Sequence, residues 1–156
     1  MAGALDGITV VDLTQRAAGA LATMFLTDHG ARVIRVIGQP EEQLRDDGYR
    51  VWDRGKEVVL LAGTDSQSIS KLINQSDIVI EDFGPVARPT ALAAKRLREL
   101  DPRLIVASIT AYGEHGPLAQ EPAIDDLVLA RLGILAGLPG FRDGPVHAAH
   151  PLPSVG

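Results

Sequence analysis

Five short apolar runs rich in valine and isoleucine recur along this chain, each separated from the next by residues with helical or turn character, and this alternation narrows the fold most. Residues 8–13 (ITVVDL) are too few for a helix of their own and read as a buried strand. The pattern returns at 31–37 (ARVIRVI), 57–62 (EVVLLA), 77–82 (DIVIED) and 104–112 (LIVASITAY). Between the first two, residues 16–29 place Ala18, Leu21, Ala22 and Phe25 at i, i+3, i+4, i+7, and Gly30 suits the end of that helix. Residues 64–74 predict a helix capped by Thr64 or Asp65, with Ile69, Leu72 and Ile73 turned inward. Residues 90–100 predict an amphipathic helix that stops before Pro102, and 124–138 a last helix that is apolar nearly all round. Phe83-Gly84-Pro85 reads as a turn and 113–122 as a loop. Alternation of this period predicts an α/β fold, a Rossmann-like parallel sheet with helices on both faces and right-handed crossovers.

At 156 residues and 46% hydrophobic content the chain can build one real core. Twenty acidic against 15 basic side chains leave a net charge of −5, so there is no broad basic footprint for nucleic acid or an anionic membrane. The absence of cysteine excludes disulfides, thiolate metal sites and a cysteine nucleophile, and fits a reducing compartment. No run approaches the roughly 18 apolar residues of a membrane span, and MAGALDGITVVDL lacks the pattern of a signal peptide. These features predict a cytoplasmic protein. The four histidines show no metal-ligand spacing, and no metal is expected. Residues 38–55 turn polar and read as an irregular surface excursion. Residues 1–138 form the expected domain, and 139–156, rich in Gly and Pro, an irregular linker. The close on Pro153-Ser154-Val155-Gly156, with no capping element, predicts that these residues are part of a larger protein.

Ligands of open parallel sheets bind beyond the carboxyl ends of the strands, so the segments after each strand are the informative ones. After the first, Thr14-Gln15-Arg16-Ala17-Ala18-Gly19 leads into a helix whose free N–H groups suit an anion. The competing reading is that Ala17, Ala18 and Gly19 are small so that helix and sheet pack closely. No G-x-G-x-x-G lies in a strand-to-helix context and no Walker A sequence exists, which removes support for a dinucleotide redox enzyme. Before the third strand, Asp53-Arg54-Gly55-Lys56 sets two cations beside a glycine, suited to a diphosphate or to a solvated charged loop. After the fourth, Glu81-Asp82-Phe83 brings a carboxylate to the ligand edge with Arg88 nearby. After the fifth, Tyr112-Gly113-Glu114-His115-Gly116-Pro117 reads as a glycine-rich flap. Asp12 reads as a turn or dimer residue, Trp52 as a cover for apolar surface, and His29 as a helix-end residue that favours the dipole.

Several blocks run in order along nearly the whole chain. They are Leu5-Asp6-Gly7-Ile8 with Val11-Asp12-Leu13-Thr14; Gly30-Ala31-x-Val33-Ile34-Arg35-Val36; Gly55-Lys56; Ser76-Asp77-Ile78-Val79-Ile80-Glu81-x-Phe83-x-Pro85; Leu97-x-Glu99-Leu100-x-Pro102-Arg103-Leu104-Ile105; Ser108-Ile109-x-x-Tyr112-Gly113-x-x-Gly116-Pro117; and Asp126-Leu127-Val128. Together they resemble the class III CoA-transferases of the carnitine dehydratase and bile-acid-inducible F type. The resemblance implies the N-terminal half of such an enzyme's large domain, with CoA or acyl-CoA along the strand ends. It implies an interlocked homodimer, or association with another chain or domain of the same kind. The implied reaction is transfer of CoA between an acyl-CoA and a carboxylic acid by way of an aspartate that attacks the thioester. The implied CoA contacts fall on Gln15, Arg16, Ala17, Lys56, Asp82, Phe83, Arg88 and Tyr112.

Departures from the family pattern set the remaining expectations. Pro-Leu-x-Asp is Pro151-Leu152-Pro153-Ser154 here, so Ser154 stands at the nucleophile position, and no acidic residue follows Asp143. Ser154 would act as a nucleophile only beside a base, for which His147 and His150 are the sequence neighbours. Ile37-Gly38 stands where a charged pair is usual, Lys56-Glu57 where Lys-Arg is, and Asp82 where Asn is; each change removes a donor or adds an anion. In the racemase branch the general-base histidine falls on Asp125, before Asp126, and its partner aspartate falls near Ser154. The expectations are a CoA-transferase domain whose carboxylate has become a hydroxyl, a non-catalytic half kept for dimerisation or regulation, or an acyl-CoA racemase-like domain. An acid from elsewhere in the chain lying beside Ser154 would overturn the simple loss of a carboxylate.

Overall fold

A computed structural model of the chain describes residues 3–38, 47–61, 66–138, 147 and 152–155. Five parallel strands, β1 (Thr9–Asp12), β2 (Arg32–Ile37), β3 (Glu57–Leu60), β4 (Ile78–Glu81) and β5 (Ile105–Ser108), form one sheet in the order β3-β2-β1-β4-β5. The described helices are α1 (Ala17–Asp28), α2 (Asp47–Trp52), α3 (Ser66–Ile73), α4 (Gly84–Ala87), α5 (Ala94–Leu100), α6 (Asp125–Arg131), α7 (Ile134–Gly137) and α8 (Leu152–Val155). The chain enters at the central strand, winds out to β3, then crosses back to β4, which makes the β1–β4 boundary the switch point of the sheet.

Alternation of side chains along a strand sends neighbouring residues to opposite faces. Val11 therefore joins Val79, Leu13, Ile73, Leu97 and Leu104 on the face covered by α3 and α5. Val10 joins Val33, Ile80 and Ala31 on the other face, where Leu26 of α1 packs. Val10, Val11 and Val79 are fully buried, and burial of each such side chain contributes about 1.5–3 kcal/mol. The doubly wound parallel sheet expected from the sequence is the one observed.

Several boundaries differ, each for a local reason. The excursion at 38–55, expected to be irregular, contains α2, and the turn at 83–85 opens into α4. Residues 90–100 split into a 3-10 turn at Thr90–Leu92 followed by α5. The fifth strand ends at Ser108 and not at Tyr112, because its partner β4 ends opposite it at Glu81. The helix expected over 124–138 is broken at Gly133, whose φ of +75° is left-handed and ends α6 before α7 begins. Leu152–Val155, in the stretch expected to be an irregular linker, form α8, which packs against α1 and α6. The proposed cap at Thr64 or Asp65 lies outside the described residues.

Candidate functional site

The carboxyl ends of β1, β4 and β5 open into a cleft of about 170 Å³, lined by Arg16, Asp82, Thr110, Ala111, Asp125 and Ser154 among others. An adjoining pocket shares Arg16, Asp82 and Ala111 and adds Phe83 and Tyr112. The topology thus brings together residues that follow three strands, as the switch-point rule requires.

Asp82 sits at the start of α1. Its Oδ1 accepts the Gln15 N–H at 2.9 Å and its Oδ2 the Arg16 N–H at 2.8 Å, while the Arg16 guanidinium donates to the Asp82 carbonyl at 3.0 Å. An internal carboxylate therefore occupies two of the donors that sequence reasoning assigned to an external anion, and Ala17 begins the helix just beyond them. Burial pushes the Asp82 carboxyl above the usual carboxylate range, against the pull of those two N–H groups. A carboxyl raised in the folded state favours folding while protonated; that contribution is present below its ordinary value of 3.8 and is lost as pH rises through the raised one. D82N, neutral throughout, lacks this loss. Melting temperatures followed from about pH 4 to about pH 7 are expected to show the wild type losing ground against D82N.

Lys56, expected at a phosphate, is sealed inside. Its side chain is 0% exposed, and Nζ donates to Asp12 Oδ2 at 3.2 Å, the Ala20 carbonyl at 3.1 Å and Asp53 Oδ1 at 3.3 Å. Those three acceptors use its three hydrogens, so in this arrangement none is left for a ligand. Asp53 also pairs with Arg35. Asp12 in turn accepts from the Thr14 N–H and hydroxyl through Oδ1 and from the Thr23 hydroxyl through Oδ2. Desolvation pulls the Lys56 ammonium below the ordinary lysine range, opposed by Asp12. The second cation of that segment, Arg54, is paired with Asp28 of α1. Within Asp53 to Lys56, Arg54 and Gly55 are exposed and Lys56 is sealed inside, and the pairs of Arg54 with Asp28 and of Lys56 with Asp12 clamp the β2–β3 connection onto α1. His29 likewise serves its helix end, with Nδ1 2.7 Å from the Phe25 carbonyl.

Arg88 is nearly buried and bridges two carboxylates, Glu81 at 2.6 Å and Glu114 at 2.5 Å. It tethers the 113–117 segment to the end of β4. Phe83 leans on the core beside β4, and its N–H donates to Glu81. Tyr112 lies under the Arg131 guanidinium, 5.7 Å from ring centroid to Cζ, with its hydroxyl unpaired among the described residues.

Ser154 does stand in the cleft, and its partner is an acid. Ser154 Oγ donates to Asp125 Oδ1 at 2.7 Å, and Asp125 Oδ2 is buried with no hydrogen-bond partner among the described residues. The acid beside Ser154 that would overturn a simple loss of the carboxylate is thus present, brought from the first turn of α6 by the packing of α8 on that helix. His147 faces Asp126 instead, at 2.6 Å, and His150 lies outside the described residues. Asp125 is the site residue that sequence reasoning did not select. The signal for it was the racemase pattern, which places a functional pair on the positions of Asp125 and Ser154.

Fold and cleft together define a doubly wound α/β domain with a cleft at the carboxyl edge of its sheet, beside a carboxylate–hydroxyl pair. The family model for CoA-transferase family III matches residues 5–153, and the chain belongs to that family. An acetyl-CoA:oxalate CoA-transferase of Acetobacter aceti is 35% identical over 157 residues, covering 92% of this chain and 40% of the relative. A crystal structure of Rv3272 from Mycobacterium tuberculosis, in an orthorhombic form, superimposes with a TM-score of 0.83 at 36% identity, covering 97% of this chain and 44% of that one. A CAIB/BAIF family protein from Brucella suis gives 0.79 at 26% identity, covering 97% and 45%. The chain spans about two-fifths of the length of the curated relatives it matches.

Proposed function

We propose that this chain is the thioester-binding part of a CoA-transferase that moves CoA between an acyl-CoA and a carboxylic acid. The observation that carries the reading is a cleft at the carboxyl edge of the sheet in a chain matched by the family over residues 5–153. Arg16, exposed and lining both pockets, meets the phosphates of CoA by charge-assisted hydrogen bonds, while Phe83 and Tyr112 give apolar surface to the rest of the ligand. Lys56 contributes by holding α1 and β1 in place and Arg88 by holding the 113–117 segment. Exposed Ile105, Leu132 and Ile134 suit association with a second chain or with the remainder of a longer protein. No helix among the described residues is long and apolar enough to cross a membrane, and the lack of cysteine supports a place in the cytoplasm.

Isothermal calorimetry tests this directly. CoA and acetyl-CoA are expected to give saturable heats, and R16A, which keeps the backbone N–H bound by Asp82, is expected to weaken binding by about tenfold, equivalent to about 1.4 kcal/mol. No heat at millimolar CoA would overturn the reading. A second reading, a non-catalytic half retained for assembly, is favoured by the sealed Lys56 and by the carboxylate of Asp82 at the start of α1. It expects CoA to bind without turnover, or no CoA binding with assembly intact.

A further inference from the structure

Residues 110–123 leave the sheet after β5 and line one side of the pocket that adjoins the cleft, with Phe83, Gly84 and Ala87 lining it from the β4–α4 side. We infer that this segment is a hinged strap, fastened by the ion pair of Glu114 with Arg88 and released from it when a ligand enters or leaves that pocket; only the choice of CoA as that ligand rests on the thioester reading above. The segment is held to the rest of the chain at few points. The last hydrogen bond to β4 runs from the Ile109 N–H to the Glu81 carbonyl at 2.8 Å. Beyond it, among the described residues, the hydrogen bonds of 110–121 close within the segment: Gly113 N–H to the Thr110 hydroxyl at 3.0 Å, Ala119 N–H to the Gly116 carbonyl at 3.3 Å and Glu121 N–H to the Leu118 carbonyl at 3.0 Å. None of residues 110–123 is buried. A segment with only local bonds and no buried side chain opens at far lower cost than the sheet it joins. Gly113 and Gly116, on either side of Glu114, have φ of +81° and +106°, and a Cβ at either would meet nothing within 4 Å, so both points are free to turn.

Arg88 is placed to let go of one carboxylate and keep the other. Its side chain is 11% exposed, that of Glu81 1% and that of Glu114 38%. Release of Glu114 leaves the guanidinium paired with Glu81, whose second oxygen accepts the Phe83 N–H at 2.9 Å, so opening strands no buried charge. Glu114 itself moves from a site that is already partly wet into water, at little desolvation cost in either direction. The far end of the strap stays with α6, where Tyr112 lies under the Arg131 guanidinium and Glu121 pairs with it at 3.5 Å. That second ion pair is nearly half exposed on both sides and holds weakly. The Glu114–Arg88 pair is therefore the fastening that decides whether the strap is shut.

The test is amide hydrogen exchange on the intact chain, joined to the kinetics of CoA binding. E114A is expected to speed exchange over residues 111–121 by about tenfold while peptides of β1 and β4 exchange as in the wild type. E121A, which cuts the exposed pair at the other end, is expected to change it by less than about twofold. In stopped-flow mixing with CoA, E114A is expected to raise the association and dissociation rates together, by about three- to tenfold each, with Kd moving less than either. Wild-type exchange in E114A would overturn the strap, and so would faster exchange spread through the whole sheet, which would make the pair a prop of the fold. Unchanged binding rates beside a loosened segment, or a loss of affinity carried by dissociation alone, would overturn the gating role, the second by making Glu114 a ligand contact. Failure of CoA to bind would take down the thioester reading, and the exchange result would then decide the strap by itself.

Discussion

Replacing Lys56 with methionine is expected to destabilise the fold by about 3–5 kcal/mol, the usual cost of removing one partner from a buried charge cluster. Methionine keeps most of the aliphatic stem, so the loss reports the charge and not a cavity. What remains after the change is Asp12, fully buried, and Asp53, which still has Arg35. Asp12 keeps the Thr14 and Thr23 hydroxyls but loses the ammonium that it is paired with. The double variant K56M/D12N removes the stranded charge as well, and is expected to recover part of the loss. Urea denaturation of the three proteins gives both numbers. A K56M protein as stable as the wild type, with CoA binding lost, would return Lys56 to the ligand side of the molecule.

This cluster also shows where the sequence stops being readable. The strands and their parallel sense follow from local spacing, since the alternation of Val10 and Val11 between two cores is written in neighbouring residues, whereas the order of the strands in the sheet was not legible. The partnership of Asp12 with Lys56 spans 44 residues, and neither side chain carries a mark of the other. A lysine after a glycine looks like a phosphate ligand or a solvated charge equally well, and only the crossover that lays the β2–β3 connection over α1 decides between them. Asp82 is a similar case. Its position after β4 was legible as ligand-facing, but the direction of its carboxylate, back onto Gln15 and Arg16, depends on two strands lying side by side.

The pair in the cleft was half legible. The resemblance placed Ser154 at the nucleophile position, and it also paired the positions of Asp125 and Ser154 through the racemase pattern. Treating the tail as an irregular linker hid their contact, because α8 is what brings Ser154 to α6 across 29 residues. Short helices with no amphipathic repeat leave little trace in a single sequence, and the Pro and Gly content of that tail argued against any. The same reasoning explains the missed break at Gly133. An apolar run from 124 to 138 has helical composition throughout, and a glycine inside it becomes a stop only when it takes a left-handed conformation.

Gly19→Ala is expected to destabilise the chain by about 1–3 kcal/mol, the opposite of what helix propensity alone predicts. In an open helix interior the exchange gains about 0.5–1 kcal/mol. Here a Cβ on Gly19 would lie 2.3 Å from Thr14 Cβ and 2.4 Å from its hydroxyl oxygen. Thr14 cannot turn aside cheaply, because it is buried and its hydroxyl is bound to Asp12 at 2.7 Å. Relieving the clash therefore means lifting α1 from the sheet or breaking a bond in the cluster that also holds Lys56. Moving α1 would shift Arg16 and the N–H groups bound by Asp82, so G19A is also expected to weaken CoA binding. Gly137 in α7 supplies the control: a Cβ there meets nothing within 4 Å, and G137A is expected to be neutral or slightly stabilising. Thermal melts of the two variants separate the explanations. Equal stabilisation by both would mean that the small residues after β1 are free of the sheet and available to a ligand, whereas loss in G19A alone identifies them as the seam along which α1 is fitted to β1.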